Sequence, residues 1–515
     1  MLFFLGLLFT GLRIYDDYGV HWDEYNNQSF GDRWSEYVLT VLGKGLASDV
    51  RVSIEPGHDM IHGAVFELFL KFSEKMLFVL SDSRDIILMR HLTTFLIFYV
   101  AIFFFYLLCD LYFKNWKIAL LGSLFLVLHP RIFANSFYNS VDIPFLAFYI
   151  ISTYTLIRYL EKKTYLRAVF CALACAILID IRIIGAILPF SALVFLVIDI
   201  MRSRKDAAAI KKIVMSIIMY VLFLAVLIVL LWPLLWEDRF NKIYKAISHT
   251  AHYRYCFTPV SPWYYYFKWI VITTPLLYSF CFFGGVFVSI KAMFKGLIRR
   301  YDENRPMLIA VVLFFVPITL LAIFKERSYN GWRHLYFIYP VYIIFCLKGV
   351  TALYKFISVK YSGRRYKIIN AILILTVGYS AVNTLFFMVK YHPHEHVYAN
   401  ALSGRGMALA KDRLTLDYWG LSFRKAMEYI LENDKSPIIH ICTSNLPAWD
   451  NVNILPREER KRLVYTENID EADYFLGNYK SIGKYQWARG EYPDKEEYYS
   501  VKVGETKFMV VYKLK

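Results

Sequence analysis

Two adjacent carboxylates, Asp23 and Glu24, stand in the stretch DYGVHWDEYNNQSFGDRW (residues 17–34), directly behind an apolar N-terminal segment. Successive residues on a helix point about 100° apart, so one of the pair can face a cavity while the other pairs or caps. An ionised Asp23 aimed at an acceptor hydroxyl would be a general base; equally, both carboxylates could sit solvated in a headgroup region without a role. A second polar set follows in HPRIFANSFYNSVDIP, where His129, Arg131, Asn135, Asn139 and Asp142 share one helix end bracketed by Pro130 and Pro144. Asp142 could join Asp23 in holding a divalent cation or an acceptor, with His129 and Asn139 beside it, or could simply cap the next helix. Arg90 and His91 (MRHLTTFLIF), Arg182 (LIDIRIIGAI), and Arg333 and His334 (NGWRHLYFIYP) each open an apolar run. Arginines at such positions often snorkel, yet several on one face suit a bound phosphate, whose geometry guanidinium donors match.

The elements that must position these groups are membrane spans. The chain of 515 residues is 57% hydrophobic and 18% aromatic, too apolar for a soluble enzyme of this length. Apolar stretches near 89–108, 118–134, 143–157, 168–179, 183–200, 213–235, 269–290, 307–324, 335–350 and 368–389 approach the roughly 20 residues that cross a bilayer. With the short opening segment MLFFLGLLFTGL, read as a span rather than a cleaved signal peptide, the expectation is about eleven transmembrane helices.

KNWK, EKKTYLR, RSRKDAAAIKK, KAMFKGLIRR and KYSGRRYK fall on alternate connections, which the positive-inside rule makes cytoplasmic. The chemically unusual residues then lie on the extracytoplasmic side of a multi-pass protein of the inner (cytoplasmic) membrane. The net charge of +17 follows from those basic loops and from lipid phosphate, and gives no argument for nucleic acid. Seven scattered cysteines show neither disulfide nor metal spacing.

Residues 1–390 thus read as a membrane domain whose first outer loop, 13–85, carries interfacial helices at 22–42 and 58–80. From Tyr391 charge returns and apolar runs shorten to strand length. LSFRKAMEYILEN reads as a helix, SPIIHICT and ADYFLGN as buried strands, and YYSVKVGETKFMVVYKL as a hairpin turning at Gly504, so 391–515 is expected to be a small α/β extracytoplasmic domain. The aromatic loop HTAHYRYCFTPVSPWYYYFKWIVITTPL is either an interfacial belt or part of a sugar-binding groove.

Taken together, WDE, MRHLTTF, HPRIFANSFYNSVDIPF, SPWYYYFKWIVITTPL and RHLYFIYP resemble the C-type glycosyltransferase (GT-C) fold. More narrowly, they resemble the family of dolichyl-phosphate-mannose protein mannosyltransferases and bacterial aminoarabinose transferases (family 39-like), in a bacterial branch whose tail is similar to YHPHEHVYANALSGRG and LDYWGLSFRKAMEYI. The resemblance implies an inverting transfer of a sugar from a polyprenyl-phosphate donor to a hydroxyl on a protein, lipid or glycan. It implies catalytic roles for Asp23 as base, for Arg90, and for Glu24 in orienting Arg90 or the acceptor, and donor-phosphate contacts for Arg131, Arg182, Arg333 and His334. Val141 stands where bacterial relatives often carry a lysine, and the tail is not the carbohydrate-binding module of the eukaryotic enzymes. Two readings from other classes compete: a secondary transporter, which would place ionisable residues near mid-bilayer and show internal repeats, and a non-catalytic envelope scaffold.

Overall fold

The protein was analysed as a computed structural model, which describes residues 1–43, 63–77, 82–236, 244, 262–296, 301–323, 331–403, 416–479 and 492–515. The membrane part runs α1 (Leu2–Ile14), α2 (Glu24–Val41), α3 (Val65–Met76), α4 (Ser83–Phe113), α5 (Trp116–Val127), α6 (Pro130–Tyr138), α7 (Asp142–Glu161), α8 (Tyr165–Ile181), α9 (Ile187–Arg202) and α10 (Ala207–Leu231). It continues through α11 (Tyr265–Thr273), α12 (Leu276–Gly296), α13 (Tyr301–Ile323), α14 (Tyr339–Lys360) and α15 (Gly363–Lys390). Among the described residues eight helices are long and apolar enough to cross a membrane, nine if the bent pair α5 and α6 counts as one. This is a multi-pass membrane protein. Each of the eleven apolar stretches is helical, but α1 has only 13 residues and α8 only 17.

Local chemistry explains the helix ends. Side chains of Asp82, Asn115, Thr164 and Asp206 accept amide hydrogens at the starts of α4, α5, α8 and α10. Two expected spans are interrupted at X-Pro steps. His129, before Pro130, is extended (φ −94°, ψ 103°), and α5 and α6 meet there at 69°. Thr274, before Pro275, is likewise extended and separates α11 from α12. Proline's ring disfavours the helical conformation for the preceding residue, so neither apolar run continues straight.

α12 and α14 approach closely at two glycines. A Cβ on Gly285 would lie 1.8 Å from the Phe345 carbonyl oxygen, and one on Gly349 would lie 2.1 Å from that of Cys281. Small residues let the backbones touch where lipid offers no hydrophobic drive for association.

After Lys390 the chain forms a five-stranded sheet in the order β2–β1–β3–β5–β4, from β1 (Ile439–Thr443), β2 (Leu463–Tyr465), β3 (Tyr474–Gly477), β4 (Glu497–Val503) and β5 (Thr506–Lys513). β1 pairs in parallel with β2 and β3, whereas β5 runs antiparallel to β3 and β4. The Ser422–Asn433 helix packs Phe423, Ala426, Met427 and Ile430 against this sheet. Gly504, at φ +58°, turns the terminal hairpin as its position between the two apolar runs suggests.

This α/β unit is bonded to the loop between α1 and α2. Asn451 both donates to the Val20 carbonyl and accepts its amide (2.9 Å each), Arg424 donates to the carbonyls of Asp16 and Tyr18, and the Trp22 amide donates to the Trp419 carbonyl at 3.2 Å. His392 bridges Asp17 (2.8 Å) and Glu395 (2.7 Å), and Glu395 also accepts from the Tyr18 hydroxyl. Burial would lower the His392 pKa, but its bonds to Asp17 and Glu395 and their charges prevail and raise it to about 9.

Two outcomes are expected. Gly285→Ala and Gly349→Ala each destabilise the protein in detergent by about 1–3 kcal/mol, because overpacking outweighs the ~1 kcal/mol gain in helix propensity; thermal unfolding checks this. Since the folded pKa of His392 is raised, its stabilisation is complete below its ordinary 6.5 and is lost as pH rises towards 9. The stability difference between wild type and His392→Phe should therefore shrink over that interval.

Candidate active site

The first turn of α2 separates the two adjacent carboxylates. Asp23 occupies the N-cap position, yet its side chain makes no capping bond. Its amide donates to Nδ1 of His21, a ring that burial keeps neutral, and its carboxylate, about one third exposed, reaches Arg333 at 3.5 Å. An aspartate at an N-cap ordinarily bonds the free amides of the first turn. Asp23 is directed elsewhere.

Glu24 turns inward, is 3% exposed and receives Nε2 of His91 at 3.1 Å. Burial would raise its pKa, but the His91 bond and charge, with His21 and Arg90 nearby, hold the carboxyl below its ordinary range. Glu24 therefore ties α2 to α4. It does not bond Arg90 as expected.

Arg90 is buried, with Nη2 on Glu67 (2.6 Å) and Nη1 on Glu74 (3.5 Å). These glutamates lie seven residues apart on α3 and so on one helix face. Glu67 also accepts from the Ser140 hydroxyl at 2.8 Å, and Lys71 bridges Glu74 and Asp32. Arg90 thus anchors α3 and the α6–α7 corner to α4. Its partners lay unnoticed in the 58–80 stretch, although their spacing of seven was a usable signal.

Asp142 is the centre of the second set. It is the first residue of α7, not its cap, and is 3% exposed. Oδ1 meets Arg182 at 2.5 Å, while Oδ2 meets Arg333 at 3.5 Å and accepts from Asn139 at 2.9 Å. Asn139 also accepts the Asp142 amide and donates to Asn135, so it sets the carboxylate's angle. Arg182 continues to Nδ1 of His334 at 3.2 Å. Arg333 contacts both Asp23 and Asp142, so a guanidinium bridges the two carboxylates that could have shared a divalent cation. Among the described residues no group of three His, Cys, Asp or Glu side chains converges.

His129 departs furthest from its expected place. It is fully buried, accepts the Ile132 amide through Nδ1 as the cap of α6, and packs edge-on against Tyr339 and Trp332. It belongs to the bend, not to a ligand or acceptor site.

A cavity of about 340 Å³ opens beside Arg333. Three cationic side chains line it: Arg131, Lys268 and Arg333. Arg131 donates Nε to the Tyr398 carbonyl at 2.8 Å and lies over the Trp269 ring, while its buried Nη2 has no partner among the described residues. Tyr264, Tyr265, Trp269 and Tyr336 supply aromatic walls, and Trp419 and Tyr418 lie against the Arg333 guanidinium at 4.5 and 5.5 Å. Of the long aromatic loop, 245–261 lies outside the described residues, but Pro262, Tyr264, Tyr265, Lys268 and Trp269 of its described end do reach this cavity. The contributions of Trp419 and His396 were not anticipated, because only folding brings the tail to this wall.

Comparison with known proteins gives one family. Residues 84–236 match the family model described as dolichyl-phosphate-mannose-protein mannosyltransferase. Two solved structures of ArnT from Cupriavidus metallidurans, bound to undecaprenyl phosphate and in the apo state, align over 99% of this chain and 97% of theirs. Their identities are 11% and 12%, and their TM-scores 0.47 and 0.44. No curated protein matches. The family-model match thus runs from the first turn of α4 to just beyond α10, about three tenths of the chain.

Proposed function

We propose that this protein is an inverting glycosyltransferase that moves a sugar from a polyprenyl-phosphate donor to a hydroxyl acceptor at the extracytoplasmic face of the cytoplasmic membrane. The observation that carries this reading is the double placement of Arg333, which lines the aromatic, cationic cavity and binds Asp23 at its edge. Residues 1–390 then form the transferase body, and 391–515 an α/β domain beside the donor. Lys163 and Arg305, both on Asp199, mark the opposite, basic end of the bundle, which fits the cytoplasmic side.

In this mechanism Asp23 takes the proton of the acceptor hydroxyl as its oxygen attacks the anomeric carbon. The bond from that carbon to the phosphate oxygen breaks on the opposite face, and polyprenyl phosphate leaves with the electron pair. Arg131, Lys268 and Arg333 stabilise the departing charge from fixed positions. Arg182 and Asn139 act through Asp142, which holds Arg333, and His334 acts through Arg182. Arg90 and Glu24 position the loop that carries Asp23. The acceptor is a protein, lipid or glycan hydroxyl reached from water through exposed Asp23.

Two variants test this in proteoliposomes given a panel of radiolabelled polyprenyl-phosphate sugars. Asp23→Asn should lose transfer by about 10² or more while unfolding within ~0.5 kcal/mol of wild type, since a long, partly exposed ion pair contributes little. Asp142→Asn should instead lose about 1–3 kcal/mol of stability, because it weakens the charge-assisted bonds that Arg182 and Arg333 make to a buried carboxylate. Equal transfer by wild type and Asp23→Asn would remove Asp23 as the base.

A further inference from the structure

The tail contributes a polar group to the cavity that the mechanism above does not use. His396 is 4% exposed, forms part of the cavity wall and sits in the Glu395–Val397 turn just beyond α15. Its Nε2 faces Asp417 at 3.1 Å. Asp417 is itself fixed by the amides of Leu421 and Ser422 and by the Ser422 hydroxyl. Burial would raise the Asp417 pKa, but the His396 bond and charge and the Ser422 hydroxyl outweigh it and keep the group ionised. A carboxylate only accepts, so Nε2 carries the hydrogen, and Nδ1 is the ring's other hydrogen-bonding atom. That Nδ1 is buried and has no partner among the described residues.

The rest of the described wall is cationic and aromatic, with Tyr264, Tyr336 and Tyr418 among its members. Arg131, Lys268 and Arg333 can only donate, which suits phosphate. The Asn135 amide oxygen is taken by Asn139, and the Tyr265 hydroxyl oxygen accepts the Gly331 amide. A sugar needs partners for hydroxyl hydrogens as well as faces to stack on. We infer that His396, held by Asp417, makes a hydrogen bond with one hydroxyl of the donor sugar, so that the tail helps select the sugar while the cations hold the phosphate.

This rests on the reading of the cavity as a donor site, and the test separates the two. Wild type and His396→Phe in nanodiscs are titrated with undecaprenyl phosphate and with undecaprenyl-phosphate mannose, glucose, galactose and aminoarabinose, followed by monodeoxy analogues of the tightest binder. Wild type is expected to bind one sugar lipid better than the bare lipid, and to lose about tenfold for a single deoxy position, the worth of one buried hydrogen bond. His396→Phe should bind the bare lipid as wild type does and be indifferent at that position. In transfer assays the loss should appear in KM more than in kcat.

If His396→Phe still discriminates against the same deoxy analogue, or loses bare and sugar-bearing lipid alike, the assignment fails while the donor site stands. If wild type binds no lipid of the panel, or none better than the bare lipid, the assignment fails too, and the first of these results removes the donor site as well. The analogue series on wild type needs no mutation, so a folding defect in His396→Phe cannot rescue the idea: equal affinity for all deoxy analogues overturns it.

Discussion

Every functional placement in this protein depends on where the buried charge of Asp142 is answered. A carboxylate taken from water into a helix bundle is costly unless paired and hydrogen-bonded. Here Arg182, Arg333 and Asn139 all converge on it. These partners come from the end of α8, the turn before α14 and the corner after α6, so one neutralised charge draws three distant segments together. Arg333 is left with a second guanidinium edge for Asp23 and a face for Trp419. Arg131 and Lys268 add positive charge, and among the described residues lining the cavity there is no carboxylate.

The Arg90 network is a second, separate solution of the same problem. Arg90 is fully enclosed, and two glutamates of α3 surround it where one would neutralise it. Lys71 restores the balance by pairing with Glu74 and with Asp32 of α2. The effect is to cross-link three helices through a network whose inner members, Arg90, Glu67 and Glu74, are buried and whose outer member, Asp32, reaches solvent. The inner part is hard to deform partially, because releasing Arg90 or either glutamate strands a buried charge. The loop bearing Asp23 is therefore stiff on one side through His91 and Glu24, and on the other through the tail.

The membrane helices were legible because their signal is long and local: each apolar stretch from α4 to α15 can be read without knowing what it touches. The chemistry-bearing residues were legible for a related reason, since charges beginning an apolar run stand out against it. Asp142, Arg182, His334 and Arg333 do meet, as their common helix-end positions suggested. What sequence could not provide was partner choice. Arg90 found Glu67 and Glu74 instead of Glu24, and His129 turned out to cap a helix, because a histidine ahead of a proline looks the same in either role. The cavity's aromatic cover was hidden for a different reason: Trp419 and Arg333 are separated by a whole helix pair and carry no mutual spacing signal.

One main-chain bond gives the arrangement a mechanical character. The Trp22 amide donates to the Trp419 carbonyl, so the residue preceding Asp23 and the residue stacked on Arg333 are stitched edge to edge. Asp23 and Arg333 thus both adjoin one seam between the tail and the loop after α1. On the proposed reading of the site, a displacement of the tail would be felt at the base and at the phosphate contact together. The α/β unit is in that sense a lever arm whose fulcrum is this seam, and exchanging it for another module would change the spacing the seam sets.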